Sequence, residues 1–276
     1  MGFFFSRKRE NLSERSWAPR WWAVLLVGLL LWIATVATAF FTGNLILLPT
    51  IVLLGSFLVP VTGVTWYLDH DPSPVLTPNR VVAAFIIAGV VGALGASLLE
   101  FWLVFGPGPI GMLKVGLIEE FVKAAGIVLF ALGLRSFSMR DGIVLGATVG
   151  FGFAALESSG YALVSLFVVQ GGHLYLSLSS VVFTELIRGV LAPFSHGLWS
   201  AILGGVIFHG ARNGRLRLTW GIVVAYLGVS ILHGAFDTFG NVVGYVVISI
   251  VGTVPLVYLW WRRDQSILFR NRTQVT

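Results

Sequence analysis

The sequence predicts an all-α, polytopic membrane protein of about eight transmembrane helices, with both termini in the cytoplasm. Of its 276 residues, 57% are hydrophobic and only 11% are charged, whereas a soluble domain carries about 25% charged residues. The apolar segments are about 20–27 residues long, the length with which a helix crosses a hydrocarbon layer of ~30 Å. These segments lack the alternation of polar and apolar residues that is typical of barrel strands.

Eight apolar spans follow one another between short polar loops. The first span is longer than the apolar region of a signal peptide, so we expect it to be a retained helix. Pro60 is expected to kink the second span, and Pro193 to kink or break the sixth. The segment 170–175 is expected to be a loop. The predicted spans are 21–41, 45–68, 81–105, 110–134, 142–169, 178–209, 219–239 and 241–261.

The distribution of basic residues orients these spans. The termini and the loops 69–80, 135–141 and 210–217 hold every lysine and arginine except three, and the opposite loops hold none. Basic loops stay on the cytoplasmic side, so both termini are predicted there. This asymmetry accounts for the net charge of +6 without a nucleic-acid partner. The predicted organisation is a basic cytoplasmic N-terminus 1–20, a single membrane domain 21–261 with a catalytic core at about 111–240, and a basic cytoplasmic tail 262–276.

Ionisable residues inside the spans indicate a functional site. Each charge at the bilayer centre costs ~2.5–3.5 kcal/mol on insertion scales, so such residues are functional by default. The chain has no cysteine, which excludes thiolate nucleophiles and cysteine-ligated metals. The protease motifs HExxH, GxSG and GxGD are also missing from the spans. The acidic and basic residues within spans are Glu100, Lys114, Glu119, Glu120, Lys123, Glu157, Glu185, Arg188 and Asp237, and the histidines are His196 and His233, with His209 near the cytoplasmic end.

Helical spacing predicts that many of these residues meet in one cavity. Residues four positions apart share a helix face, and three such pairs are Glu119 with Lys123, Phe153 with Glu157, and His233 with Asp237. Glu120 is expected to point about 100° away from Glu119, without a partner in its own helix. The glutamates lie about ten residues, or ~15 Å, from the predicted extracytoplasmic helix ends. We therefore expect the cavity to open toward the outside.

Two kinds of chemistry are compatible with this set. A partly desolvated carboxylate acts as a general base toward water, whereas carboxylates with two histidines are a ligand set for a divalent metal such as zinc. The residues leave the presence of a metal open. Structural roles also remain open: Glu185 and Arg188, three residues apart, are expected to form a local ion pair, and Phe153 to pack in the interior.

Four motifs together resemble the PrsW family of bacterial intramembrane proteases, which is related to the CAAX prenyl endopeptidases and bacteriocin-processing enzymes. The family pattern is EExxK, FxxxE, a histidine and HxxxD on successive helices. The matching residues are Glu119-Glu-Phe-Val-Lys123, Phe153-Ala-Ala-Leu-Glu157, His196 and His233-Gly-Ala-Phe-Asp237. The resemblance implies a multi-pass endopeptidase of the bacterial plasma membrane. It implies as substrate a single-pass or lipid-anchored membrane protein, such as an anti-sigma factor cut on the extracytoplasmic side.

The resemblance also implies roles for individual residues. The implied catalytic residues are Glu119, Glu120, Glu157, His196, His233 and Asp237, with Lys123, Phe153 and Arg188 in support. Glu120 is favoured as the base, because Glu119 has a lysine one turn away. If a metal is bound, its ligands are expected among Glu157, His196, His233 and Asp237. Two other functions stay open: a transporter or channel that uses the carboxylates as a proton or cation relay, and a non-catalytic membrane protein that retains the site.

Overall fold

The computed structural model describes residues 20–70, 73–106 and 108–272, and this part of the chain forms eight long helices, as predicted. Seven of them are long and apolar enough to cross a membrane. The remaining helix, α4, is 23 residues long and carries the charged residues of the EExxK motif. The helices are α1 (Trp21–Thr42), α2 (Leu48–His70), α3 (Pro78–Leu103), α4 (Pro109–Ala131), α5 (Met139–Ser165), α6 (Leu178–His209), α7 (Trp220–Phe239) and α8 (Val242–Arg272).

The helix boundaries lie close to the predicted ones, and local signals explain them. Hydroxyl side chains cap the first turns of α3, α5 and α7, where Thr77, Ser138 and Thr219 accept backbone N–H bonds. Glycines with left-handed φ values follow α1 and α7. The last helix continues to Arg272, past the predicted end at 261. Residues 1–19 of the predicted cytoplasmic N-terminus 1–20 and residues 273–276 of the predicted tail 262–276 lie outside the described residues.

The two prolines that were expected to disturb helices both lie within continuous helical segments. Pro60 lies inside α2, which continues through it. Pro193 begins a π-helical turn, Pro193–Gly197, so α6 is interrupted by one wide turn and not by a break.

A β-hairpin replaces the end of the fifth span and the loop that was predicted after it. Its strands, β1 (Phe167–Gln170) and β2 (His173–Leu176), pair antiparallel. Gly171 and Gly172 connect them with φ values of 59° and 79°, the positive angles that a tight two-residue hairpin turn requires. The prediction of a span to 169 was wrong because α5 ends at Ser165.

The centre of the bundle is formed by α5 and α6. In an 18-residue apolar stretch of each of these helices, 72% and 78% of the residues are buried, against 11% in α1 and in α8. Small residues let these two helices approach closely. A Cβ added at Gly146 would lie 2.0 Å from the Ser200 carbonyl oxygen, and one at Gly142 would lie 2.3 Å from that of Gly204. In the same way Gly116 brings α4 against the backbone of α7 at Ser230. Helices α4, α5, α6 and α7 therefore meet around one interior volume.

Candidate active site

The interior volume is organised around the ammonium group of Lys123. Its Nζ lies 3.1 Å from Glu119 Oε2 and 2.9 Å from Glu120 Oε1. Both Lys123 and Glu120 have no exposed surface. The prediction that Glu120 lacks a partner in its own helix was wrong, because a flexible lysine side chain reaches residues three and four positions before it.

Two imidazoles from different helices join this trio. His196, in the π-helical turn of α6, places Nδ1 2.8 Å from Lys123 Nζ and Nε2 2.9 Å from Glu157 Oε2. An ammonium group only donates hydrogen bonds, so His196 Nδ1 accepts and its Nε2–H donates to Glu157. The π-helical turn thus puts the imidazole between α4 and α5.

His233, on α7, has a corresponding arrangement. Its Nδ1 lies 2.9 Å from Glu120 Oε1, and its Nε2 faces Glu119 Oε2 at 3.5 Å and Asp237 Oδ2 at 3.3 Å. The Asp237 contact confirms that these two residues share a helix face. Each of the two histidines therefore has one nitrogen against a carboxylate and turns the other toward Glu119.

Three donor atoms converge as a result. Glu119 Oε2 lies 3.8 Å from His196 Nδ1 and 3.5 Å from His233 Nε2, and these three residues place their ligand atoms within 4.8 Å of one another. Histidines that ligate metals commonly donate their second nitrogen to a carboxylate, which fixes the ring. Glu157 and Glu120 occupy these positions behind His196 and His233. The carboxylates also exceed the lysine and arginine of the cluster by two, so neutral histidines leave a net charge that a divalent cation would cancel.

The solvent-accessible rim of the cluster consists of three charged residues. The side chains of Glu157, Arg188 and Asp237 are 21%, 24% and 31% exposed, whereas that of Glu119 is 6% exposed. Arg188 Nη2 lies 2.7 Å from Glu157 Oε2, and its guanidinium group lies 4.0 Å above the ring of Tyr161. These rim residues lie toward the helix ends that were predicted to be extracytoplasmic.

The prediction of a local ion pair between Glu185 and Arg188 was wrong. Arg188 forms its ion pair with Glu157 on α5, and Glu185 accepts a hydrogen bond from Ser56 on α2 at 2.8 Å. Spacing along α6 made the local pair possible, but the two side chains point to different neighbouring helices. Glu185 therefore lies outside the cluster around Lys123, as does Lys114, which donates to the Leu103 carbonyl.

Aromatic side chains enclose the cluster on its buried side. The ring of Phe153 lies 4.2 Å from Lys123 Nζ, so this residue contacts the central cation as well as packing in the interior. Trp199 packs against His233 with the ring planes tilted and the centroids 4.9 Å apart, and it has no exposed surface. Sequence reasoning did not include Trp199 in the site, although it follows His196 by three residues and so shares its helix face.

All six predicted catalytic residues and the three supporting ones are brought together in this cluster. Their individual roles remain predictions. The donor set that converges, Glu119 with His196 and His233, differs from the ligand set expected from the sequence, because Glu157 contacts the far nitrogen of His196.

Comparison with known proteins agrees with the motifs. The profile of the PrsW family intramembrane metalloproteases matches residues 77–260, which include every residue of the cluster. The chain belongs to the PrsW family. Helices α1 and α2 precede the matched region.

Two curated relatives carry the name Protease PrsW. The one from Halalkalibacterium halodurans is 27% identical over 158 residues, which cover 57% of this chain and 66% of that protein. The one from Geobacillus kaustophilus is 32% identical over 136 residues, which cover 49% of this chain and 53% of that protein. The aligned part thus spans less than two thirds of either PrsW relative. No solved structure matches the chain.

Proposed function

We propose that this PrsW-family protein is an endopeptidase that hydrolyses a peptide bond of a membrane-tethered protein. The observation that carries the proposal is the pair of imidazoles that are each held by a carboxylate and turned toward Glu119. Ordinary contacts between membrane helices use glycine, alanine, serine and threonine, so packing alone does not require this costly polar network. The names of the relatives and the description of the family support a protease.

The donor atoms suit a divalent metal such as zinc. Glu119 Oε2, His196 Nδ1 and His233 Nε2 provide one oxygen and two nitrogens, the donor types of many catalytic zinc sites. When bound, such an ion supplies Lewis-acid activation of water and of the scissile carbonyl group. We assign these three residues to hold it, and we assign Glu157 and Glu120 to orient the two imidazoles.

Asp237 is the residue best placed to accept a proton from the attacking water. Its carboxylate is the most exposed in the cluster, and its Oδ2 lies 3.3 Å from His233 Nε2, within reach of a water molecule bound near the donor atoms. Glu120 was the favoured base from the sequence. Because its side chain has no exposed surface and its Oε1 contacts both Lys123 and His233, we assign it a positioning role instead.

The substrate follows from the position of the rim. The partly exposed residues Glu157, Arg188 and Asp237 lie toward the predicted extracytoplasmic helix ends. A single-pass or lipid-anchored protein would present its juxtamembrane segment at this level. We propose a substrate of this class, similar to an anti-sigma factor, in the plasma membrane of a bacterium.

A relay for protons or cations is the less favoured function. A relay needs polar groups that continue across the membrane, but the cytoplasmic halves of α5 and α6 pack through buried apolar residues such as Leu145, Leu203 and Phe208. The polar groups form a cluster that is accessible from one side. This arrangement suits a hydrolytic site better than a conduction path.

The test is cleavage of single-pass reporter proteins, with varied extracytoplasmic juxtamembrane sequences, by the purified protein in liposomes. We expect Glu119→Gln to lower kcat/KM by at least about 10²-fold, because it removes the anionic donor of the proposed metal site. Glu185→Gln is the matched control, since Glu185 is also a buried glutamate but contacts Ser56 and not the cluster. Undiminished cleavage by Glu119→Gln would refute the proposed site.

A further inference from the structure

We propose that Lys123 and the metal compete directly for the same donor atoms, so that the ammonium group must leave Glu119 and His196 before a divalent cation takes them. This inference rests on the metal site of the proposed function. The ammonium nitrogen lies 3.1 Å from Glu119 Oε2 and 2.8 Å from His196 Nδ1. These are two of the three atoms that would ligate the ion.

At His196 the lysine and the metal exclude each other. A neutral imidazole has one nitrogen with a free lone pair, and in His196 this is Nδ1, because Nε2 faces the Glu157 carboxylate. A zinc ion binds an imidazole nitrogen at about 2.0–2.1 Å along that lone pair. The Lys123 ammonium group uses the same lone pair for its hydrogen bond, so the nitrogen serves the metal or the lysine and not both.

Lys123 can release Glu119 and His196 without becoming an isolated buried charge. Its Nζ also lies 2.9 Å from Glu120 Oε1 and 4.2 Å from the ring centroid of Phe153. A lysine has a flexible stem and three donors, so it can keep these two partners while it gives up Glu119 and His196. Glu120 and Phe153 therefore remain as partners for the ammonium group after it releases Glu119 and His196.

This arrangement has two consequences for the site. With the ammonium group in place, Glu119 and His196 stay close together although both are buried, so the lysine helps to organise the donor set. The same contacts must be broken during metal uptake, so they weaken metal affinity. The protein is expected to bind zinc less tightly, and to exchange it more readily, than its donor set alone would allow.

The test is the zinc affinity of the purified full-length protein in detergent, measured by competition with a chromophoric chelator. We expect Lys123→Met to tighten zinc binding by at least tenfold. Arg188→Met is the matched control: it also removes one positive charge from the cluster, but Arg188 contacts Glu157 Oε2, which is not one of the three donor atoms. We expect it to tighten binding by less than threefold. If Lys123→Met does not fold, Lys123→Gln, which keeps an N–H donor for Glu120, provides the same comparison.

Equal tightening by the lysine and arginine variants would overturn the inference, because it would show an effect of total charge and not of shared atoms. Unchanged or weaker binding in both lysine variants would overturn it as well. Zinc binding by the wild type with either of these results would leave the proposed metal site intact. If neither the wild type nor the lysine variants bind zinc, both the inference and the proposed metal site fail.

Discussion

Glu120 and Glu185 are both buried, but their side chains have very different surroundings. Glu120 and Glu185 are 0% and 3% exposed, and both lie in long helices of the bundle, α4 and α6. Glu120 Oε1 contacts the Lys123 ammonium group and the His233 imidazole. Glu185 Oε1 accepts a hydrogen bond from the neutral hydroxyl of Ser56.

The comparison shows that burial alone does not indicate the role of a carboxylate. Glu120 belongs to a network of charged and ionisable residues on four helices, α4 to α7, whereas Glu185 joins α6 to α2, a helix that precedes the region matched by the family. We infer that Glu120 serves the chemistry and that Glu185 serves the docking of the N-terminal helices. The following predictions test this distinction, from the largest expected effect to the smallest.

The largest effect is expected from Asp237→Asn, at the exposed side of the network. The amide keeps the size of the side chain but cannot take a proton from water. General-base catalysis contributes about 10²–10⁴-fold, so kcat/KM for a cleaved reporter should fall by that factor. Zinc affinity should change little, because Asp237 is outside the proposed ligand set. If the variant cleaves at the wild-type rate, Asp237 is not the base and another carboxylate must accept the proton.

The second prediction compares the two glutamates directly. Removing a carboxylate behind a metal-ligating histidine typically costs about 10–100-fold in metal affinity or activity, so Glu120→Gln should lower both by that factor. Glu185→Gln should leave both within about twofold of the wild type. Reporter cleavage and zinc competition measure the two quantities separately. Equal losses in the two variants would show that the distinction between the networks is unfounded.

The sequence was sufficient to predict which residues meet in the network. Pairs four residues apart, such as His233 with Asp237, are fixed by the geometry of one helix and are found as expected. The order of the motifs along the chain placed them on separate helices. Length and hydropathy predicted the helices themselves, because a membrane span requires a continuous apolar segment.

Contacts between helices could not be predicted in the same way. Arg188 had acidic residues available on its own helix and on α5, and only the packed structure shows that it reaches Glu157. The distance between helices depends on where glycines permit close approach, as at Gly146. The π-helical turn that carries His196 was predicted only as an interruption at Pro193.

A third prediction concerns the site where Glu185 docks. A Cβ added at Gly55 would lie 1.8 Å from Glu185 Oε2, so Gly55→Ala must displace the buried carboxyl group. Overpacking of a tight interior typically costs about 1–3 kcal/mol, and we expect this loss in the free energy of unfolding in detergent. Gly160→Ala is the control, because no atom lies within 4 Å of its added Cβ. Equal stability of the two variants would contradict the close contact between α2 and α6.

The smallest effect is expected from Ser56→Ala, which removes the hydroxyl group that donates to Glu185. Hydrogen bonds between membrane helices contribute about 0.6 kcal/mol on average, because the separated helices find other partners. The free energy of unfolding should therefore fall by about this amount, and reporter cleavage should not change. A strong loss of cleavage with a normal unfolding transition would mean that the contact between α2 and α6 acts on the cluster around Lys123. Because Glu185 and Arg188 are one turn apart on α6, such a result would identify Arg188 and its ion pair with Glu157 as the route of that influence.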